Sequence, residues 1–430
     1  MRILFVHSIG KCKFGGGEKW VISLAAGLKA RGHDVVVGGR RNSCLLQAAR
    51  AAGMDTVNFN ILSDLSPYHV IRIARFMRRH QTDVVITRGT DLAITGLAAR
   101  LAANGLVSRL AAAGKEARLD ASGMADRLER KPVVLVRQGL PLMNRIRKHL
   151  FLMRKFADGI ITNTHSIRKL YESRNWVPEG FTKVVYNGAE VYGGGEDGAR
   201  GSEGRRSGMI AGPGGNGEGG QTGEGATPGG SANGGGNALS ERFPGKTVVL
   251  AVGRLARQKG YCYLIDAISR VKEKRTDLVL LILGSGKLHQ SLRAHARKRG
   301  VEHMIHFEGF VRDVSPYMAG CDLFVLTSLY EGMPNAAMEA MAHGKPVIIT
   351  DVNGAGELIP DPGKGLLIPP RCPESIADSM IRLLDNPGLR HEMGREAQAH
   401  VAENFPVEAM VKEMEAYLLD MVNKKSGGSG

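Results

Sequence analysis

Leu323-Phe324-Val325-Leu326-Thr327-Ser328-Leu329-Tyr330-Glu331-Gly332-Met333-Pro334-Asn335-Ala336-Ala337-Met338-Glu339-Ala340, followed by a second apolar run at Pro346–Ile349, decides how this chain is read. Leu323–Leu326 is apolar at every position, as a strand covered on both faces must be. Pro334 suits a helix start, where its missing amide hydrogen costs nothing. A strand, a turn, a helix and a second apolar strand make one unit of a parallel sheet covered by helices. Two carboxylates flank the turn, Glu331 in the loop and Glu339 inside the helix, both able to face a cleft. Carboxylates accept hydrogen bonds from sugar hydroxyls, and the free amides of Gly332, Met333 and Asn335 suit negatively charged oxygens.

The same alternation runs outward in both directions. In the first half the strand candidates are Ile3–His7, Asp34–Val37, Val84–Thr87, Val133–Val136, Gly159–Thr162 and Lys183–Tyr186; in the second they are Thr247–Val252, Leu278–Leu283, Ile305–Glu308, Leu323–Leu326 and Pro346–Ile349. The expected class is α/β, as two Rossmann-like domains facing a central cleft, with ligands at the carboxyl ends of the strands. Between the halves, residues 191–240 hold 20 of the 57 glycines and almost no branched or aromatic side chains. Such a segment cannot bury enough apolar surface to offset the entropy of ordering. The expected domains are therefore 1–190, a glycine-rich linker over 191–243, 244–405, and a C-terminal helix and tail over 406–430 that packs back on the first domain. The interval 104–131 mixes alanine, arginine and glycine and reads as short amphipathic helices or a surface insertion.

With 430 residues, 43% of them hydrophobic, the chain is long enough for two or three domains and is not a disordered protein. Five dispersed cysteines without a C-x-x-C pair exclude a disulfide scaffold and point to a reducing, cytoplasmic setting. The apolar run Ile3–Val6 is too short for the core of a signal peptide, and no stretch has the roughly 20 apolar residues of a membrane span. The net charge of +16 is unevenly placed: residues 1–190 carry 31 Lys and Arg against 14 Asp and Glu, the rest 27 against 28. That asymmetry calls for an anionic partner on the first half only, a phosphorylated substrate, an anionic membrane surface or nucleic acid. Nucleic acid is disfavoured, because that half has few aromatic residues for stacking and no recognised binding module.

Glycine loops after strands carry the remaining chemistry. Gly15-Gly16-Gly17-Glu18 precedes a helix expected from about Glu18 to Arg31, whose first amides suit an anion. Gly253-Arg254-Leu255-Ala256-Arg257-Gln258-Lys259-Gly260 follows the strand Thr247–Val252, where Arg254 and Lys259 are placed to hold a diphosphate. Gly284-Ser285-Gly286-Lys287 imitates the end of a P-loop, but Leu281 and Leu288 stand where that motif needs glycine and a hydroxyl. No D-x-D triplet occurs, so neither a metal nor another cofactor is expected.

The segment from Phe307 to Ile359, with its E-x7-E pair Glu331 and Glu339, resembles the C-terminal part of glycosyltransferase family 4, whose members have the GT-B fold. The GGGE loop, VVYNGAE at Val184–Glu190, GRLARQKG and LILGSG extend the resemblance over nearly all the chain outside 104–131 and the glycine-rich segment. It implies a retaining, metal-independent transfer from a nucleotide diphosphate sugar to an acceptor hydroxyl, of the lipopolysaccharide, glycolipid or polysaccharide type. By that resemblance Arg254 and Lys259 hold the diphosphate and Glu331 contacts the donor sugar. Glu339 contacts the ribose, and the loop with Gly16 and Gly17 lies near the diphosphate. Gly253, Gly284, Gly332, Met333, Pro334 and Asn335 complete the donor side. Many members carry a His at the end of a strand of the first domain, whereas this strand ends Val136-Arg137-Gln138. Arg137 and Gln138, with His7 at the end of the first strand, are thus acceptor-side candidates, and neither Arg137 nor Gln138 has the chemistry of a general base. The N-terminal domain of this fold generally binds the acceptor, so its charge predicts an anionic glycolipid or saccharide and a peripheral position on the inner face of the membrane. A nucleotide-sugar epimerase or a sugar phosphorylase shares the fold and is the alternative reading.

Overall fold

The computed structural model describes residues 1–8, 15–59, 61, 66–103, 131–139, 146–192 and 235–427. Expectations for 104–130 and for most of the glycine-rich segment fall outside these residues. The chain divides into two compact units, Met1–Gly188 joined by the chain from Val407 onward, and a second ending at Pro406.

The first unit is built on a seven-stranded sheet: β1 (Arg2–His7), β2 (Asp34–Gly39), β3 (Asp55–Asn58), β4 (Val84–Arg88), β5 (Val133–Arg137), β6 (Gly159–Thr162) and β7 (Thr182–Val184). Its order is β3-β2-β1-β4-β5-β6-β7, with every pairing parallel. Parallel strands need crossovers, and helices cover both faces. On one face the helix Gly16–Ala30 buries Trp20, Val21, Leu24 and Leu28 together with Met410, Val411, Met414 and Leu418 of the C-terminal helix Val407–Gly427. On the other, the helices Pro67–Arg79, Leu92–Ala103 and Ile146–Phe156 close over Leu4, Val6, Val85 and Val134. Two further helices of this unit, Cys44–Ala51 and His165–Glu172, start on hydroxyl caps: Ser43 and Thr164 accept the amides of Leu46 and Ile167, each at 3.3 Å.

The second unit has six parallel strands, β8 (Thr247–Val252), β9 (Leu278–Leu283), β10 (Ile305–Gly309), β11 (Leu323–Leu326), β12 (Val347–Thr350) and β13 (Leu366–Ile368), in the order β10-β9-β8-β11-β12-β13. All six residues of β9, LVLLIL, are buried, because the sheet is covered on both faces. Both sheets reverse strand order once, between β1 and β4 and between β8 and β11. These are the positions where doubly wound sheets open a crevice at their carboxyl ends. Two Rossmann-like domains of α/β class are thus present.

Some sequence expectations shift. β3 and β13 escape a hydrophobic reading, since three of the four residues of DTVN are polar and LLI has only three residues. The last strand of the first unit ends at Val184, although the Val185 amide still bonds the Thr162 carbonyl at 2.9 Å. The first helix begins at Gly16, two residues early, with Gly15 as its N-cap and the Glu18 carboxylate accepting the Gly15 amide at 2.9 Å. Pro334 caps the following helix, Asn335–Ala342, rather than opening it from within. Beside and within the expected linker, 191–243, the described residues are tied into the second unit or helical. Ala189 donates to the Phe405 carbonyl and Tyr192 to that of Ala342, while Gly235–Arg242 is helical.

Candidate functional site

In the second unit the loops leaving β8 and β11 meet at the switch point, and they are stitched to each other before any ligand is considered. The Leu329 amide donates to the Gln258 carbonyl at 2.7 Å, the Gln258 side chain to the Tyr330 carbonyl at 2.9 Å, and the Thr327 hydroxyl to the Lys259 carbonyl at 3.1 Å. Gly260 makes this contact possible. Its φ of +63° is left-handed, and a Cβ there would stand 2.1 Å from the Thr327 carbonyl oxygen. Gly284 serves the same purpose from β9, where a Cβ would lie 2.0 Å from the Gly253 carbonyl oxygen. Its glycine identity is thus explained by the approach of two backbones.

Across the stitched loops Lys259 Nζ and Glu331 Oε1 are 2.6 Å apart, with side chains 16% and 12% exposed. The Ser328 hydroxyl donates to the same carboxylate oxygen at 2.7 Å. Thr350, at the end of β12, donates in turn to the Ser328 carbonyl. Glu331 is therefore held by a cation, a hydroxyl and a braced backbone. The Tyr261 hydroxyl donates to the Gly253 carbonyl at 3.1 Å; burial and then the charge of Glu331 push its ionisation upward, so it stays a donor. Arg254 is exposed beside these groups, with one nitrogen 3.4 Å from Gln258 Oε1. Gly332, Met333 and Pro334 are buried, and the amides of Gly332 and Met333 donate to no backbone carbonyl among the described residues. Asn335 and Glu339 lie half-buried one helical turn apart, with the Tyr192 phenol close enough to feel the charge of Glu339.

The first unit gathers a different set at the carboxyl ends of β1, β4 and β5. His7 is 4% exposed, its Nε2 is 3.9 Å from Glu18 Oε1, and its Nδ1 has no hydrogen-bond partner among the described residues. Burial first, then the charges of Arg88 and Arg137, hold its pKa well below the usual imidazole value, so it is neutral at pH 7. Arg137 is partly buried. Its guanidinium stacks 4.2 Å from the centre of the Trp20 ring and donates to Asn187 Oδ1 at 3.3 Å. Burial and the neighbouring Arg88 lower its pKa to about 10, so it remains a cation. A Cβ on Gly17 would stand 3.5 Å from Arg137 Nη1, which places the guanidinium over the first turn of the helix. Gln138 is buried elsewhere, packed with His149 against Gly89.

The structure thus brings Gly253, Arg254, Lys259, Glu331, Gly332, Met333 and Pro334 together in one unit, and His7, Gly17 and Arg137 in the other. Sequence reading missed Gln258, Ser328, Tyr261, Trp20, Arg88 and Asn187. Arg88 was within reach of one rule, since it closes the strand next to β1 at the ligand-bearing edge.

Two family models match the chain, one described as Glycosyltransferase Family 4 over residues 14–191 and one as Glycosyl transferases group 1 over residues 239–400. The chain belongs to glycosyltransferase family 4. Among curated relatives, this glycosyltransferase family 4 chain is 34% identical over 176 residues to the alpha-D-kanosaminyltransferase of Streptomyces kanamyceticus, covering 40% of this chain and 45% of that one. It is 29% identical over 181 residues to the UDP-Gal:alpha-D-GlcNAc-diphosphoundecaprenol alpha-1,3-galactosyltransferase of Escherichia coli, covering 41% and 46%. The matched part thus spans just under half the length of such relatives. The Anabaena HepE structure in complex with UDP and glucose superposes over 98% of this chain and all of its own, with a TM-score of 0.74 at 18% identity. WaaG, a glycosyltransferase involved in lipopolysaccharide biosynthesis, gives 0.63 at 16% over 97% and 99%. These likenesses show the GT-B fold of this family 4 chain.

Proposed function

We propose that this family 4 chain is a retaining glycosyltransferase that moves a sugar from a nucleotide diphosphate sugar to an acceptor hydroxyl, in lipopolysaccharide, glycolipid or polysaccharide synthesis. The observation that carries the reading is the Lys259–Glu331 pair held at the β8/β11 switch point beside the amides of Gly332 and Met333, which meet no backbone carbonyl among the described residues. A diphosphate entering there meets Arg254, Lys259 and those amides, which stabilise the negative charge that develops on the leaving group without a metal. Glu331, oriented by Ser328, accepts from the donor sugar's hydroxyls, and Glu339 accepts from the ribose. Stabilised leaving-group oxygen can take the proton of the attacking hydroxyl, so no titrating general base is required of Arg137 or Gln138. HepE, whose fold this chain shares, has been crystallised with UDP and glucose, which supports a nucleotide sugar as the donor.

For the acceptor we propose an anionic glycolipid or saccharide, met at the inner face of the cytoplasmic membrane. In the first unit the helices Pro67–Arg79 and Ile146–Phe156 contain no carboxylate, expose Arg72, Arg75, Arg147 and Lys148, and leave Tyr68 and Phe151 66% and 60% exposed. Cations beside exposed aromatics suit an anionic interface, and among the described residues no helix is long and apolar enough to cross a membrane. Co-sedimentation with phosphatidylglycerol vesicles, but not with phosphatidylcholine, is the expected result, weakened by Phe151→Ser with Arg147→Glu. Equal pelleting with both lipids would dispose of the membrane surface.

The test of the enzyme reading is a thermal-shift screen against nucleotide diphosphate sugars, with and without a chelator. One donor is expected to stabilise the protein regardless of chelator, and its nucleotide to be released only when acceptor is present. Release without acceptor, or interconversion of the sugar, would favour an epimerase or phosphorylase instead.

A further inference from the structure

Two cations stand side by side at the carboxyl edge of the first sheet. Arg88 and Arg137 end adjacent strands at paired register positions. Two carboxylates lie close by, and each already has partners: one oxygen of Glu18 accepts the Gly15 amide, and the buried Asp91, three residues beyond Arg88, accepts the amide and the hydroxyl of Ser8. Arg88 is half-buried and has no side-chain partner among the described residues, and His7 contributes no charge. Two guanidiniums held together in a partly buried setting repel each other, a cost that a bound anion would remove. Arg137 is also fixed in orientation, by the Trp20 face on one side and Asn187 on another. A planar fork clamped in this way is built for two parallel hydrogen bonds to a carboxylate or phosphate.

We propose that Arg88 and Arg137 form a receptor for a carboxylate or phosphate substituent on one of the saccharide substrates. This rests on the glycosyltransferase reading above and narrows it to acidic sugars. The diphosphate of the donor is not the anion meant: Arg254, Lys259 and the Gly332 and Met333 amides already provide for it in the other unit. The neutral imidazole of His7, buried with an unpartnered nitrogen, is available to a hydroxyl next to the acidic group. Two sources share this chemistry, an acidic donor sugar or an acidic acceptor, and they are separable.

The experiment is isothermal titration of the full chain, as wild type, Arg137→Gln and Arg88→Gln. Donor probes are UDP-glucuronate against UDP-glucose and GDP-mannuronate against GDP-mannose; acceptor probes are glucuronate and glucose 6-phosphate against glucose, in protein saturated with nucleoside diphosphate. In one arm the acidic probe should bind at least ~10-fold more tightly than its neutral counterpart, and both substitutions should erase the difference, each bidentate pair being of that order. Affinity for UDP or GDP alone should not change. Preference in the donor arm identifies an acidic sugar donor, and preference in the acceptor arm an acidic acceptor. Equal binding of acidic and neutral probes in both arms overturns the proposal, as does a loss of affinity for the free nucleotide in the two variants that matches the loss for the acidic probe. Arg88→Gln keeps the test open if Arg137→Gln fails to fold, since Arg88 has no side-chain partner among the described residues to lose. Failure of every nucleotide to bind, with the acidic saccharide still bound through both arginines, would remove the transferase reading and leave the receptor standing.

Discussion

The two switch points of this molecule solve opposite problems. At β8/β11 the cation and carboxylate cancel each other, and two loops are tied together by backbone hydrogen bonds, so the site is organised before a ligand arrives. At β1/β4 two arginines end neighbouring strands beside a neutral histidine, while the nearby carboxylates Glu18 and Asp91 are engaged by Gly15 and Ser8. The first arrangement suits a ligand whose charge is always the same, as a diphosphate's is. The second makes affinity depend on whether the ligand brings an anion, which is the behaviour of a specificity element.

The contrast can be broken by mutation. The largest effect belongs to the neutralised pair: Lys259→Ala should lower kcat by roughly 10²-fold or more, the range for removing a group that stabilises developing charge, and Arg254→Ala should do likewise. Steady-state kinetics checks this, and full activity in both variants would remove them from the site. Next comes the stitching. Gly260→Ala forces a left-handed alanine against the Thr327 carbonyl and should cost about 2 kcal/mol or more, read as a lowered Tm in thermal unfolding. An unchanged Tm would show that the loops are not preorganised in the way the contact implies. Smaller again is Glu339→Ala, expected to weaken donor binding about 10-fold in titration calorimetry through one lost charged hydrogen bond.

The smallest effect sharpens the other half. The folded pKa of His7 lies below that of the unfolded chain, so between the two values the unfolded state binds a proton that the folded state refuses. Stability therefore falls as pH drops through about 6.5, the ordinary imidazole value. His149, His306, His343 and His400 act with the same sign. His7→Gln should flatten, without abolishing, the decline of Tm between about pH 6.5 and 5. An identical slope would mean that His7 is not the buried neutral group described.

What could be read from sequence follows the same division. The second unit's site lies on two contiguous stretches, Gly253–Gly260 and Ser328–Glu339, each carrying its own glycines and charges in order, so local patterning was enough. The first unit's cluster is assembled from the ends of β1, β4 and β5 and from Trp20 and Asn187. Nothing in the spacing of Arg88 and Arg137, 49 positions apart in sequence, says that they end neighbouring strands. Strands with apolar runs such as β8 and β9 were legible to the residue, while DTVN at β3 was not, because mostly polar strands look like turns without their neighbours. Ser328 was in view throughout, but its aim at Glu331 depends on a bond from Thr350 that sequence distance hides.

The C-terminal helix Val407–Gly427 supplies Met410, Val411, Met414 and Leu418 to the core of the unit that the first 188 residues begin. Each such side chain stabilises its core by roughly 1.5–3 kcal/mol. On the ribosome the first unit therefore cannot be completed when its own sheet has emerged; it waits for the helix Val407–Gly427, while the second unit already has all its strands in hand. A nascent first unit would thus show its unfilled apolar face to chaperones until the helix Val407–Gly427 has emerged.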